Sequence, residues 1–224
     1  MILELADLEK TFSHGDASVT VLKGLNFTAN RGETIAILGP SGSGKSTLLT
    51  LLAGLDRPTA GRISIQGEDL HRLNEESLTR FRSKNLSIIF QQFHLMANLT
   101  ALENVTLPLE IAGIQDAETK AKNALTSVGL GHRFTHFPTE LSGGECQRVA
   151  IARAVAVEAP ILLADEPSGN LDQKTGHEVM KMLFELVKSK GSTLILVTHN
   201  EQLASWCDRQ FNLQDGKLWL QDRQ

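Results

Sequence analysis

The strongest constraint on the fold of this chain is a glycine-rich stretch, Gly39-Pro40-Ser41-Gly42-Ser43-Gly44-Lys45-Ser46. It fits the pattern G-x-x-x-x-G-K-[ST], in which successive backbone N–H groups surround a phosphate. The apolar run before it, Thr34–Leu38, predicts a buried strand, and residues 47–53 after it predict a helix. A strand, a glycine loop and a helix start form an anion site, so the sequence predicts that residues 39–47 bind a nucleotide triphosphate.

Three side chains of this stretch have specific expected roles. Lys45 is expected to reach the β- and γ-phosphates, and the Ser46 hydroxyl is expected to ligate Mg²⁺. Thr47 completes the set of nucleotide-binding residues at the helix start. An ordinary Gly/Ser turn is the alternative, but the strand, helix, lysine and serine all stand in the right order. The loop alone indicates only nucleotide binding, because many unrelated ATPases, GTPases and kinases share it.

A second glycine motif, Leu141-Ser142-Gly143-Gly144-Glu145, opens an alanine-rich segment that continues to Val157 without proline or further glycine. This segment predicts a helix. Ser142 and Glu145 have the S-x-x-E spacing of a capping box, which makes Ser142 the expected N-cap. Gly143 and Gly144 leave the first N–H groups uncovered, so the helix end is a second candidate anion site. Taken alone, the simpler interpretation is a well-capped helix with no further role.

Two adjacent acids, Asp165 and Glu166, follow the apolar run 160–164. If that run is a strand beside the phosphate-loop strand in a parallel sheet, its carboxyl end faces the nucleotide. Asp165 can then hold Mg²⁺ through water, and Glu166 can orient and activate the attacking water. A plain solvated turn is the alternative interpretation of two acids at a strand end.

The phosphate loop, LSGGE at 141–145 and LLADEP at 162–167 together resemble the ATPase subunit of an ATP-binding cassette (ABC) transporter. The resemblance covers essentially the whole chain. It implies an α/β fold: a P-loop NTPase (RecA-like) core with an N-terminal antiparallel β subdomain and an inserted helical subdomain. It assigns residues 1–90 and 158–224 to the nucleotide-binding core, and 91–157 to the Q-loop and the helical subdomain with the signature.

The resemblance also implies further site residues. Gln91 directly follows an apolar run and matches the Q-loop glutamine, which touches Mg²⁺ and the attacking water; Gln92 is a near alternative. His199, at the end of another apolar run, matches the switch histidine. Asp172 belongs to the D-loop, which crosses the dimer interface in this family. Phe12 occupies the position of the aromatic that stacks on adenine, although an early phenylalanine is more often a core residue.

In this family two copies meet head to tail, so the resemblance implies a homodimer. ATP lies between the phosphate loop of one copy and the signature of the other, with Ser142, Gly143 and Gly144 donating to the γ-phosphate and Glu145 beside them. ATP binding closes the dimer and hydrolysis reopens it, which drives a membrane partner. The predicted catalytic residues are Lys45, Gln91, Glu166 and His199; the predicted metal ligands are Ser46, Gln91 and Asp165.

Residues outside these motifs, at 91–96, 99–105 and 165–172, resemble the lipoprotein-release, macrolide-efflux and cell-division group (the LolD, MacB and FtsE type). This group implies a transmembrane permease partner with few spans and a large extracytoplasmic domain. It also implies a place at the cytoplasmic face of the bacterial inner membrane, in export, lipoprotein release or mechanotransmission. The alternative class is a soluble ABC ATPase of DNA repair or translation. Such proteins usually carry a long coiled-coil insertion or a second cassette, which are not found in this sequence.

Composition fits these expectations. The net charge of −4, from 22 basic and 26 acidic residues, argues against a large nucleic-acid footprint. No run approaches the roughly 18 apolar residues of a membrane span, and no charged-then-apolar leader is expected. A cytoplasmic protein is therefore expected, with Cys146 and Cys207 as free thiols.

The remaining pattern predicts the other elements. Strands are expected at 2–12 and 19–28, around a loop at 13–16, and at 62–66. Helices are expected at 101–112, 117–128 and 176–190, and a further strand at 193–198.

Overall fold

The structure is a computed structural model that describes residues 1–15 and 17–221. These residues form two compact units. The first unit comprises the described residues of 1–82 and 193–221, and the second comprises Ser83–Ser192. Asp16, part of the predicted loop at 13–16, lies outside the described residues. The boundaries expected for the nucleotide-binding core and the inserted subdomain, after residues 90 and 157, stay a prediction.

The described residues form ten strands and seven α-helices. The strands are β1 (Leu3–His14), β2 (Ala17–Ala29), β3 (Thr34–Leu38), β4 (Ala60–Ile65), β5 (Glu68–Asp69), β6 (Leu86–Ile89), β7 (Ile161–Asp165), β8 (Thr193–Val197), β9 (Arg209–Gln214) and β10 (Lys217–Leu220). The helices are α1 (Lys45–Leu52), α2 (Glu75–Asn85), α3 (Ala101–Ile111), α4 (Ala117–Ser127), α5 (Gly143–Ala156), α6 (Gln173–Lys190) and α7 (Glu201–Ala204). Every predicted strand and helix is confirmed, with ends that differ by a few residues. Helices α2 and α7, the strands β5 and β6, and the β9–β10 hairpin were not predicted.

The first unit contains the expected N-terminal antiparallel sheet, in the order β2-β1-β4-β5. Strand β1 pairs with β2 on one side and β4 on the other. Leu3, Leu5 and Leu8 of β1 are buried. Strand β1 ends at His14 and β2 begins at Ala17, so both strands extend into the stretch 13–16 that the sequence predicts to be a loop.

A second group of strands in the first unit is centred on β3, which lies between β8 and β9 and is parallel to both. Strand β9 continues antiparallel into β10. Ile35, Ala36 and Ile37 of β3 are fully buried. A central parallel strand is covered on both faces, which is why this stretch is apolar without alternation.

The second unit places β6 parallel to β7, with Ile89 opposite Ala164. Helices α3, α4 and α5 pack against one another. Helix α5 is buried over most of its length, as its alanine-rich sequence allows. Cys146 on α5 and Cys207 in the first unit are not joined in a disulfide, as predicted, and both are buried. No helix in the described part of the chain has the length and apolar character needed to cross a bilayer.

Candidate functional site: a phosphate loop and a signature turn

The predicted phosphate loop joins β3 to α1, as expected. A Cβ atom on Gly39 would stand 2.2 Å from the Leu213 carbonyl oxygen, so this position has no room for a side chain. Gly44 has a φ of 103°, a backbone conformation that residues with a Cβ rarely adopt. Gly39 is therefore required by its close approach to β9, and Gly44 is required by the backbone conformation of the loop.

The start of α1 has the features of an anion site. Its N-cap is Gly44, and no side chain caps the helix, so the first-turn N–H groups have no side-chain acceptor. The Ser43 hydroxyl is buried and has no hydrogen-bond partner among the residues that the structure describes. Uncapped N–H groups beside an unsatisfied hydroxyl fit the phosphates of a nucleotide.

Lys45 lies buried across this loop. Its Nζ donates to the carbonyl oxygens of Gly39 at 2.8 Å and Pro40 at 2.9 Å. Both acceptors are neutral, so these contacts leave the positive charge available for a phosphate. Ser46 is exposed on the first turn of α1, next to the partly buried Thr47.

His199 lies at the same sheet edge as the phosphate loop. Ile37 of β3 is opposite Val197 of β8 in the parallel register, and the Thr198 N–H donates to the Ile37 carbonyl. Gly39 lies two residues beyond Ile37, and His199 lies two residues beyond Val197. Both therefore lie just past the carboxyl ends of the neighbouring strands β3 and β8. The structure therefore brings the predicted switch histidine beside the loop.

Phe12 is not a core residue. It lies on β1 opposite Val19, and 46% of its surface is exposed. The Nζ of Lys10 is 4.9 Å from the ring centroid, and the same ammonium forms an ion pair with Asp56 at 2.7 Å. An exposed ring on a strand is open to a planar ligand, so the adenine-stacking role stays a prediction that the surroundings favour.

In the second unit, Gln91 and Glu166 occupy adjacent strand ends. Ile89 of β6 is opposite Ala164 of the parallel strand β7. Gln91 lies two residues beyond Ile89, and Glu166 lies two residues beyond Ala164. The Gln91 carbonyl accepts from the Asn170 amide at 2.9 Å. Its own amide lies close enough that a Cβ on Gly169 would be 2.8 Å from Gln91 Nε2. These contacts favour Gln91 over Gln92 as the Q-loop glutamine.

The two acids at the end of β7 differ in backbone conformation. Asp165 is the last residue of the strand and is partly buried. Glu166 has a φ of 42°, a conformation that costs a non-glycine residue of the order of 1 kcal/mol. The Glu166 carbonyl accepts from the Gly169 N–H at 2.8 Å, which closes a tight turn.

The signature turn confirms the predicted capping box. The Glu145 N–H donates to Ser142 Oγ at 3.3 Å, and the Ser142 N–H donates to Glu145 Oε2 at 2.9 Å. The Ser142 N–H lowers the pKa of the Glu145 carboxyl, and Arg133 nearby lowers it further. Glu145 is therefore a fixed carboxylate that orders the start of α5.

The two signature glycines have different surroundings. Gly143 is exposed, and a Cβ there would meet Leu171 Cδ2 at an ordinary 3.6 Å. Gly144 is buried, and a Cβ there would stand 2.6 Å from Thr175 Cγ2 on α6. No contact among the residues that the structure describes requires glycine at 143, whereas the packing of α5 on α6 requires it at 144.

Asp172 has a structural contact that the sequence did not predict. It is the N-cap of α6, and its Oδ1 accepts from the Thr175 N–H at 3.0 Å. Hydrogen bonds from the Thr175 side chain and from its backbone N–H lower the pKa of the carboxyl. The D-loop carboxylate thus also holds the residue that packs on Gly144.

Two further polar residues hold the segment after Gln91. The Asn104 side chain bonds to both the N–H and the carbonyl of Met96, and also to the carbonyls of Leu99 and Thr100. Arg153 donates to the carbonyls of Phe93 and His94. The sequence analysis missed both residues. They could have been found because each lies on an otherwise apolar face of a helix, where a polar residue indicates a specific hydrogen-bond partner.

Comparison with known proteins extends these findings. The family model described as ABC transporter matches residues 22–169. The lipoprotein-releasing system ATP-binding protein LolD of Geobacter metallireducens is 51% identical over 97% of each chain. An uncharacterized ABC transporter ATP-binding protein of Escherichia coli, YbbA, is 47% identical over 97% of this chain and 96% of its own.

Solved structures agree with the sequence relatives. A dimer of the ATP-binding cassette MJ0796, in a post-hydrolysis state bound to ADP and Pi, has a TM-score of 0.90 at 38% identity. The alignment covers 99% of this chain and 98% of that one. The predicted fold class, a P-loop NTPase core of the ABC type, is therefore confirmed. On these grounds the chain belongs to the ABC transporter family, as one of its ATP-hydrolysing subunits.

Proposed function

We propose that this ATPase works as a head-to-tail homodimer that ATP binding closes and hydrolysis reopens. The observation that carries the proposal is the start of α1, where uncapped N–H groups lie beside the buried Lys45. The buried Ser43 hydroxyl at this helix start has no hydrogen-bond partner in the described part of the chain. The dimeric assembly of the MJ0796 cassette, at 38% identity, supports the same arrangement here.

In this proposal the first unit binds the triphosphate. The first-turn N–H groups of α1 and Lys45 bind the β- and γ-phosphates, and Phe12 stacks on the adenine. His199, at the strand end beside the loop, steadies the γ-phosphate and the attacking water. These groups position the substrate and neutralise charge that develops in the transition state.

The second unit supplies the groups that act on metal and water. In this unit Asp165, through water, and Gln91 are proposed as Mg²⁺ ligands. In the first unit the Ser46 hydroxyl is proposed as one. Mg²⁺ takes few protein ligands and keeps water and phosphate oxygens, which suits a hydroxyl, an amide and one carboxylate. When bound, the ion neutralises phosphate charge. Glu166 orients the attacking water and accepts its proton.

The signature turn acts on the partner copy. Ser142 and the exposed Gly143 N–H group donate to the γ-phosphate bound by the other copy. Because α5 begins there, its positive dipole end adds to the attraction. Hydrolysis removes the γ-phosphate and with it the contact that favours the closed dimer.

The membrane partner is proposed to be a permease with few spans and a large extracytoplasmic domain, engaged at the cytoplasmic face of the inner membrane. The second unit has a cavity of about 350 Å³ whose lining includes Phe90, His94, Pro108, Ile111 and Arg153. Its apolar walls and its contact with the segment after Gln91 suit a docking helix. The 51% identity with LolD supports lipoprotein release as the process.

The test is the substitution Glu166→Gln in the full chain. We expect Mg-ATP to bind, turnover to fall by about 10²–10⁴-fold, the range for losing a general base, and a closed dimer to accumulate. Lys45→Ala should instead weaken ATP binding itself. Lys122→Ala, which removes an exposed ion pair with Glu118 on α4, is the matched control. Normal turnover of Glu166→Gln in the presence of its membrane partner would refute the role of Glu166.

A further inference from the structure

A chain of polar contacts joins the loop at 133–136 to the signature turn. Arg133 Nε donates to Glu145 Oε1 at 3.0 Å, while the other oxygen of that carboxylate accepts from the Ser142 N–H. The Arg133 side chain is 33% exposed and that of Glu145 is 15% exposed. This pair is more shielded from solvent than an ordinary surface ion pair. Arg133 thus acts on Ser142 through Glu145.

The same guanidinium is held from a second side. Arg133 Nη1 lies 2.9 Å from His136 Nε2. Because a guanidinium can only donate, Nε2 is the acceptor and the imidazole proton is on Nδ1. The His136 N–H in turn donates to the Arg133 carbonyl at 3.1 Å. The planar donor fork of Arg133 is therefore fixed between two partners.

The loop that carries Arg133 also bonds to the start of α3. The Ala101 N–H donates to the His136 carbonyl at 2.8 Å, and the Leu102 N–H donates to the Phe134 carbonyl at 3.0 Å. One short loop thus contacts the first turn of α3, which follows the Gln91 segment, and the first turn of α5.

We propose that Arg133 is a positioning residue for the ATP-driven dimer. It fixes the direction of the first turn of α5, from which Ser142 and Gly143 reach the γ-phosphate of the partner copy. This inference rests on the proposed head-to-tail dimer. Because Arg133 acts on the signature turn through Glu145, its loss weakens dimer closure and leaves ATP binding to the phosphate loop unchanged.

The experiment uses the full chain with Glu166→Gln, in which Mg-ATP holds the dimer. The protein concentration at half-dimerisation is measured by analytical ultracentrifugation, and ATP affinity is measured at concentrations where the chain is monomeric. Arg133→Ala should raise the half-dimerisation concentration by at least about tenfold, the effect of one charge-assisted hydrogen bond. Arg133→Lys should give an intermediate shift, because an ammonium can pair with Glu145 but lacks the fork.

Monomer ATP affinity separates positioning from a general loss of structure. We expect the ATP affinity of monomeric Arg133→Ala to stay within about twofold of the parent. A variant with a disordered fold would instead lose both ATP affinity and thermal stability. Lys122→Ala is the control for removing a cation from the same unit. Equal dimerisation of Arg133→Ala and Lys122→Ala would overturn the inference alone, whereas a parent that stays monomeric with Mg-ATP would overturn the proposed dimer as well.

A second variant covers the case in which Arg133→Ala does not fold. Glu145→Gln retains a capping-box side chain but removes the charge that Arg133 pairs with. It should shift half-dimerisation in the same direction, and an unchanged value would count equally against the positioning role.

Discussion

The two signature glycines offer a direct test of the structure, because replacing each by alanine should have opposite effects on stability. Alanine is favoured over glycine in a helix by about 1 kcal/mol. At Gly143 the added Cβ would meet Leu171 at an ordinary distance of 3.6 Å, so the variant should be as stable as the parent or slightly more stable. At Gly144 the added Cβ would stand 2.6 Å from Thr175 Cγ2 on α6.

The cost at Gly144 follows from this overlap. Overpacking a close helix contact costs about 1–3 kcal/mol, against which the gain in helix propensity is about 1 kcal/mol. Gly144→Ala should therefore lose up to about 2 kcal/mol in the free energy of unfolding, which is about 4–8 °C in Tm for a chain of this size. Thr175→Ser removes the clashing methyl but keeps the backbone N–H that Asp172 caps. Adding it to Gly144→Ala should restore most of the loss.

Urea unfolding of the two single variants, Thr175→Ser and the double variant measures this coupling as a double-mutant cycle. The packing argument fails if Gly144→Ala is as stable as Gly143→Ala, or if Thr175→Ser leaves the loss unchanged. ATPase assays separate stability from function. Gly143→Ala should fold normally and still lose most turnover, because its Cβ would stand on the exposed face that is proposed to meet the partner's nucleotide.

Two further predictions concern buried polar side chains. Asn104→Ala should cost about 2–4 kcal/mol in unfolding free energy, since it leaves several bonded backbone groups unpaired, and faster amide exchange at 96–100 would report the same loss. The isosteric Asn104→Asp should cost at least as much, because it turns a carboxylate toward carbonyl oxygens; a stable aspartate variant would contradict the assigned contacts. Gln147→Met should raise the free energy of unfolding by about 1–3 kcal/mol, because the buried Gln147 amide has no hydrogen-bond partner among the described residues. Unchanged or lower stability in thermal melts would indicate a partner such as a buried water.

Much of the fold could be predicted because its signals are local. The phosphate loop and the capping box of Ser142 each depend on residues a few positions apart, and β3 is a short apolar run between turns. Helix α2 gave no such signal, because Leu78 is its only buried side chain. The β9–β10 hairpin did have one, the Asp215-Gly216 turn with positive φ at both residues, which favours a two-residue hairpin.

The candidate site residues that could be proposed from the sequence are likewise those with local signals. Lys45 and Glu166 follow from motifs whose chemistry depends on neighbours in sequence, whereas the contact of Gly144 with Thr175 joins two helices about thirty residues apart. The proposed role of Arg133 could not be predicted for the same reason, because it depends on a contact with Glu145 that only the folded loop brings about. A sequence pattern reports which residue types are present, but the distance between side chains on different elements is fixed only by packing.

The first turn of α5 shows why this distinction matters for function. Ser142 is held by Glu145, Glu145 is held by Arg133, and Gly144 is packed on Thr175, so the turn is fixed from inside its own unit. A donor array that is fixed before the partner arrives loses less conformational entropy on association than a mobile one. The free energy of closing the dimer then depends mainly on whether a γ-phosphate is present. The cost of ordering the turn that binds the γ-phosphate contributes less. A substitution at the packed Gly144 should therefore change stability and dimer closure together, whereas a substitution at the exposed Gly143 should change closure and turnover without a loss of stability.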